Sequence, residues 1–273
     1  MTIREESQPG NLDIDLDSPE FAEKYEETLA ELVTKCPVAR SSAAGGYWLV
    51  SRYEDVRACA QDWETFSSEG GFEPGRGGDE GGAKLYPVEL DPPYQTRWRN
   101  ALGPYFNPRA IEKYEDSIRQ QVTALIDDFI EKGECDFVDQ FAAQLPGRVF
   151  FASFLGVPLS ELPPIQEATD AAMRGPMEKR GDAWGFVGGF LDNYLRTREQ
   201  EAPRDDFVDA ILRGVEDKEG KSCPWEHKLY VIIDLLAGGI GTTTYALSGM
   251  AHHLAQHPEQ NHRPPLYLRL TSW

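Results

Sequence analysis

Cysteine is scarce in this chain: Cys36, Cys59, Cys135 and Cys223 are the only four in 273 residues, and no two form a C-x-x-C pair. That spacing excludes a zinc knuckle and a disulfide-dense scaffold, so buried, reduced thiols are the expectation. Basic residues are outnumbered, with 27 Lys and Arg against 46 Asp and Glu and a net charge of −19. Such a surface repels nucleic acid phosphates and anionic lipid headgroups, and neither is expected as a partner. Long apolar runs are missing as well. Residues 1–10 read MTIREESQPG with no apolar centre for a signal peptide. The most apolar stretch, 229–240, is broken by Asp234 and falls short of the roughly 20 residues that span a bilayer. A cytoplasmic protein with no membrane span is therefore expected. The glycine-rich loop 70–82, GGFEPGRGGDEGG, carries acids and matches no phosphate-cradling signature. His253 and His257 stand four apart, but Leu254 fills the place of the glutamate in H-E-x-x-H, so no metal ligands are assigned.

What the sequence does have is concentrated in residues 228–257. Leu229, Tyr230, Val231, Ile232, Ile233, Leu235, Leu236 and Ile240 cover almost the whole circumference of a helix, which predicts a central helix surrounded by protein. Its middle, Ala237-Gly238-Gly239-Ile240-Gly241-Thr242-Thr243-Thr244, carries a propensity penalty on the order of 4–5 kcal/mol relative to alanine. Two readings account for such a stretch. The glycines permit a tight helix crossing, or they let a flat partner touch the backbone while the threonine hydroxyls bond carbonyls one turn back or face a cavity.

With 40% hydrophobic residues, the chain can fill one large domain. Phe21, Tyr25, Leu29 and Leu32 give the acidic segment 13–31 a single apolar stripe at helical spacing. Gly45-Gly46 followed by Tyr47-Trp48-Leu49-Val50-Ser51 predicts a short hairpin, and Arg52-Tyr53-Glu54-Asp55-Val56-Arg57 opens another helix. In Leu90-Asp91-Pro92-Pro93-Tyr94-Gln95-Thr96-Arg97-Trp98-Arg99, Asp91 is placed to cap a helix on which Gln95 and Arg99 share a face and Arg97 points elsewhere. A guanidinium grips carboxylates in a bidentate manner, although an arginine on a surface helix is most often merely solvated. Asn107-Pro108 predicts the cap of a long helix bearing Ile111, Tyr114, Ile118, Val122, Leu125, Ile126 and Phe129. Residues 141–158 read as a helix stopped by Gly156 and Pro158, 171–180 as a turn around Gly175-Pro176, and 203–212 as a further helix. Between the last two lies a helix weakened by Gly185, Gly188 and Gly189.

The stretch Ala237-Gly238-Gly239-Ile240-Gly241-Thr242-Thr243 resembles the distal-helix motif of the cytochrome P450 family, the haem-thiolate monooxygenases. In that family Ala/Gly-Gly-x-Asp/Glu-Thr-Thr lies across the oxygen-binding face of the haem. Further matches keep the same order: Cys36-Pro37-Val38, Arg52-Tyr53-Glu54-Asp55-Val56, the segment 90–99 followed by Phe106-Asn107-Pro108-Arg109, residues 141–158, and His257-Pro258-Glu259-Gln260.

The resemblance implies a mainly α, P450-like fold with a small β-hairpin or sheet, spanning 1–260 and incomplete at the C-terminus, followed by a non-matching tail 261–273. It implies haem as cofactor, a small apolar substrate and a ferredoxin-type redox partner. Gln95, Arg99, Gly238 and Gly239 would hold the cofactor, with Arg99 on a propionate and Gln95 where the family's histidine usually stands. Thr242, with Thr243 and Gly241, would form the catalytic stretch, Gly241 replacing the usual acid, and Phe72 and Tyr86 would contact substrate. The family's Glu-x-x-Arg helix and cysteine loop have no counterpart, so this reading is of a truncated monooxygenase, inactive as this chain alone. The alternative is a non-catalytic helical protein that binds a small apolar ligand or a partner on the same scaffold.

Overall fold

Three consecutive residues with positive φ, Ala44 (49°), Gly45 (83°) and Gly46 (96°), turn the chain between β2 (Val38–Ser41) and β3 (Tyr47–Val50). Two of the three are glycine, which adopts this conformation without a Cβ penalty, and so the hairpin forms where Gly45-Gly46 predicts it. The strands are antiparallel, with Val38 opposite Val50 and Ser41 opposite Tyr47, and β1 (Gly10–Asn11) adds a parallel third strand beside β2. The computed structural model describes residues 10–11, 14–71 and 84–260. These fall into two compact units, Met1–Arg99 with Glu216–Lys221, and Asn100–Val215 with Ser222–Trp273. The tail 261–273 lies outside the described residues.

In the first unit the single helix expected over 13–31 is two, α1 (Pro19–Glu23) and α2 (Tyr25–Lys35). Ser18 caps α1 by accepting the Phe21 N–H at 3.1 Å, and the chain breaks at Lys24 before α2 runs on past the expected end. After α3 (Tyr53–Gln61) the chain reaches α4 (Tyr94–Leu102), whose stripe Tyr94, Trp98 and Leu102 is buried. Asp91 does not cap α4 with its side chain. Its carboxylate accepts the Ser67 hydroxyl at 2.5 Å and the Ser68 N–H at 2.9 Å, which pins the segment after α3.

In the second unit Asn107 does cap α5 (Pro108–Glu112), accepting the Ala110 N–H at 3.0 Å. The long helix expected there is broken: the Tyr114 N–H bonds the Ile111 carbonyl three residues back, and α6 (Glu115–Ile130) starts afresh. The next segment holds α7 (Gln144–Arg148) between two π-helical stretches, Val138–Ala142 and Val149–Phe154. Pro146 lies inside α7 and has no N–H, so the carbonyl of Ala142 loses its normal intrahelical donor. Thr244 replaces it from another helix, donating its hydroxyl to that carbonyl at 3.1 Å in a buried position. α8 (Leu162–Arg174) and α9 (Met177–Glu199) form a helical hairpin joined by Gly175 and Pro176 alone, a tighter turn than the one expected over 171–180. A Cβ at Gly175 would lie 2.3 Å from the Ala171 carbonyl oxygen, so the turn requires glycine.

The sequence ends of α9 and α10 (Phe207–Arg213) are tied by charge. The Arg198 guanidinium, fully enclosed, reaches Asp206 at 3.0 Å and Asp209 at 2.9 Å. Burial pushes the Asp209 carboxyl up, but the N–H groups of Asp205 and Arg204 and the Arg198 charge outweigh it and hold the group below its ordinary range. The last helix, α11 (Trp225–Gln256), has 32 residues and packs on α7, α9, α10 and the π-helical stretch Val138–Ala142.

Two outcomes follow from these ties. Thr244→Val leaves the Ala142 carbonyl buried without a donor and should cost about 1–3 kcal/mol in urea unfolding, whereas Thr243→Val, on the exposed side, should change stability little. Because the folded carboxyl of Asp209 titrates low, its contribution is full above the unfolded value of about 3.9 and is lost as pH falls through the folded value. Asp209→Asn should lower stability at neutral pH and flatten the acid limb of the stability curve, which unfolding midpoints between about pH 7 and pH 3 would show.

Candidate functional site

The N-terminal end of α11 is held by three side chains. The Trp225 indole N–H donates to Asp192 Oδ1 at 2.6 Å, the Arg196 guanidinium lies 4.6 Å over the Trp225 ring, and Lys228 Nζ donates to the Leu212 carbonyl at 2.7 Å. Val231, Ile232, Ile233, Leu236 and Ile240 are then buried. This half matches the expected core helix. The second half does not, because Gly238, Gly239, Thr242 and Thr243 are exposed, as are Tyr245 and Met250. The length and composition of α11 would suffice to cross a membrane, but its buried first half packs on neighbouring helices in the manner of a core helix.

Nothing lies within 4 Å of a Cβ built on Gly238 or Gly239. A tight helix crossing therefore does not explain these two glycines among the described residues, and the backbone there is open to a flat partner. Thr242 donates its hydroxyl to the Gly238 carbonyl at 2.5 Å, which leaves the oxygen's lone pairs free to accept. Thr244 turns the other way and serves the Ala142 carbonyl. Gly241 also belongs to another side: a Cβ there would lie 2.8 Å from Met173 Cε, and the residue lines a cleft with α7 and α8. Of the three expected catalytic residues, Thr242 and Thr243 share the open face with Gly238 and Gly239, and Gly241 leaves it.

The expected cofactor residues of α4 lie in the first unit. Gln95 is half-buried and Arg99 exposed, one turn apart. Arg97 is committed elsewhere, donating to the carbonyls of Glu216, at 2.8 Å, and Asp217. Tyr86 is half-buried with its ring edge-on to Tyr94 at 6.4 Å, and Phe72 lies outside the described residues. A residue the sequence reading passed over is Trp98, wholly buried, whose indole N–H has no acceptor among the described residues. Its four-residue spacing from the buried Tyr94 is a signal the sequence offers for burial, but the unmet donor is visible only in three dimensions.

Of the four cysteines only Cys223 is buried; Cys36 and Cys59 are part-buried and Cys135 is exposed, against the expectation of buried thiols. Cys223 precedes α11, whose first residue, Trp225, stands about 20 Å along the helix axis from Gly238 at 1.5 Å per residue. Among the described residues no three His, Cys, Asp or Glu cluster as metal ligands.

Helices on helices, a small sheet, and one long helix opening a glycine-threonine face define a mainly α protein with room for a flat group on that face. The model of the cytochrome P450 family matches residues 161–263. A probable cytochrome P450 127A1 of Sinorhizobium fredii is 30% identical over 78% of this chain and 50% of its own length. The 6-deoxyerythronolide B hydroxylase of Saccharopolyspora erythraea is 28% identical over 90% of this chain and 64% of its own. The crystal structure of CYP101J2 superposes with a TM-score of 0.75 at 25% identity, covering 95% of this chain and 65% of that one. The chain belongs to the cytochrome P450 family, and it spans about half the length of the curated relatives it matches. Family membership brings haem as the expected cofactor.

The two arginines of α4 should separate in experiment. Arg97→Ala removes the donor to two carbonyls and should cost about 1–2 kcal/mol in urea unfolding, while Arg99→Ala should stay within about 0.5 kcal/mol. In a chain completed by the corresponding segment of a relative, haem retained per polypeptide after gel filtration should fall more for Arg99→Ala than for Arg97→Ala.

Proposed function

We propose that this chain forms the oxygen-facing portion of a haem-thiolate monooxygenase acting on a small apolar substrate in the cytoplasm, with electrons arriving through a ferredoxin-type partner. The observation that carries the reading is the open face of α11, where Gly238 and Gly239 admit a flat group to the backbone and Thr242 presents an oxygen with free lone pairs. These residues fit one face of a haem, and Arg99, exposed on α4, fits a propionate carboxylate. Haem supplies oxygen activation when bound, with thiolate ligation favouring O–O cleavage. A thiolate for the haem iron would come from outside these 273 residues, because none of the four cysteines has the surroundings of such a ligand.

In this reading Thr242 holds the water that carries a proton to the oxygen site: its own proton is given to the Gly238 carbonyl, so its oxygen accepts from that water. Gly241 provides no carboxyl and faces α8, so no side-chain acid stands next to Thr242 in sequence to resupply it. Gln95 donates a neutral hydrogen bond, and Phe72 and Tyr86 contact substrate. Residues 1–260 act as one domain with 261–273 as a tail. A name such as 6-deoxyerythronolide B hydroxylase supports an oxygen-inserting activity in the complete protein. The alternative, a non-catalytic scaffold binding a small apolar ligand or partner, is favoured by one observation, the missing acid at Gly241.

Purified chain reconstituted with haem, reduced and exposed to carbon monoxide should give an imidazole-type or free-haem spectrum, and a red-shifted thiolate-type band would refute the assignment of the ligand to another segment. In a chimera continued by the corresponding segment of a relative, that band should appear, and Thr242→Val should divert NAD(P)H consumption to peroxide while substrate still binds. Unchanged coupling would remove Thr242 from the mechanism.

A further inference from the structure

At its C-terminal end α11 carries a pair of imidazoles that the open glycine face does not use. His253 and His257 stand four residues apart, so both lie on one side of the last turn. The His257 N–H donates to the His253 carbonyl at 3.0 Å, which fixes the two residues one helical turn apart. Their ring centroids approach to 4.4 Å. His253 is exposed and His257 half-buried, so an ion can reach both from solvent.

The surroundings leave nitrogen lone pairs available. Nδ1 of His257 lies 3.3 Å from Oε1 of Glu259. A carboxylate there orients the ring and keeps a proton on Nδ1, which leaves Nε2 to donate a lone pair, the arrangement that metal-bound histidines use. Neither ring nitrogen of His253 has a hydrogen-bond partner among the described residues. The adjacent His252 is turned about 100° around the helix axis, and its Nε2 lies 3.0 Å from the amide nitrogen of Gln256.

The spacing selects the ion. With metal–nitrogen bonds of about 2.0–2.1 Å, an ion lies about 3.2 Å from the centroid of each imidazole it binds. Two rings bound at a right angle then stand about 4.5 Å apart, and two at the tetrahedral angle about 5.2 Å. The observed 4.4 Å matches the right angle. Square-planar and octahedral ions use that angle, and among them Ni²⁺ and Cu²⁺ favour imidazole nitrogen, whereas tetrahedral Zn²⁺ requires the rings to part. The carbonyl end of a helix also favours a cation. Two protein ligands leave the remaining positions to water, in keeping with the absence of a three-ligand cluster among the described residues.

We propose that His253 and His257 form a two-imidazole chelate for Ni²⁺ or Cu²⁺ at the end of α11, with Glu259 orienting His257. The proposal goes beyond the monooxygenase reading: the pair begins about 20 Å along the helix past Gly239, and it needs no haem.

The test is a calorimetric titration of the metal-stripped, haem-free chain with Ni²⁺, Zn²⁺ and Mg²⁺, nickel being used because it does not oxidise the free thiols. Ni²⁺ should bind one to one, Zn²⁺ more weakly and Mg²⁺ not at all. His253→Gln, at an exposed position, should keep the melting temperature of the metal-free chain and weaken Ni²⁺ at least about tenfold, because a chelate becomes a single ligand. His257→Gln should weaken Ni²⁺ to the same degree, Glu259→Gln should weaken it less than either, and His252→Gln should leave it unchanged. Absence of saturable Ni²⁺ binding, undiminished binding in His253→Gln or His257→Gln, lost binding in His252→Gln, or Zn²⁺ binding as tightly as Ni²⁺ would overturn the proposal. None of these results touches the haem-binding reading, which rests on Gly238, Gly239 and Thr242.

Discussion

A helix with two adjacent glycines, a third two residues on and three threonines at its middle stands only because its first half is buried. Each of Val231, Ile232, Ile233, Leu236 and Ile240 is enclosed, and burying one such side chain stabilises by about 1.5–3 kcal/mol. Two or three of them suffice to offset the propensity penalty downstream. The clamp of Trp225 and Lys228 on α9 and α10 fixes where that apolar half lies, and with it the direction in which the open half faces. The exposed glycines are thus held in place by residues that never approach them.

The tie between Thr244 and Ala142 shows the same dependence from the other side. Pro146 interrupts the hydrogen-bond ladder of α7, and a helix that loses a bond in the interior must find another partner or bend. The threonine of α11 is that partner, so the defect in one helix is satisfied by a polar group in the next. This bond also fixes the rotation of α11 about its axis, since sending Thr244 inward forces Thr242, two residues and about 200° earlier, outward.

Much of this was legible in the sequence. The hairpin followed from Gly45-Gly46, the cap of α5 from Asn107, the shared face of Gln95 and Arg99 from their spacing, and the family from short motifs in order. What was not legible turns on partners distant in the chain. Asp91 has the look of a helix cap, yet Ser67 and Ser68 compete for its carboxylate and win. The apolar period of residues 108–130 is continuous, but one three-residue hydrogen bond at Tyr114 breaks the helix without breaking the period. Arg97 and Arg99 are alike in sequence, and only the backbone carbonyls of Glu216 and Asp217 distinguish them.

Gly238, Gly239 and Gly241 make the point most sharply. Read as letters they are one glycine cluster, and a single cause would be sought for all three. Physically they divide: the first two have open space where a Cβ would be, and the third has the methyl of Met173 2.8 Å away. The same absence of a side chain meets different surroundings, with room on one face for an incoming flat group and the Met173 methyl on the other. An acid at 241, as the family motif would have it, would meet only the terminal methyl of Met173, the far end of a flexible side chain that can swing aside. A side chain there displaces one methyl rather than a backbone, so the spacing of the helices does not by itself forbid an acid at 241.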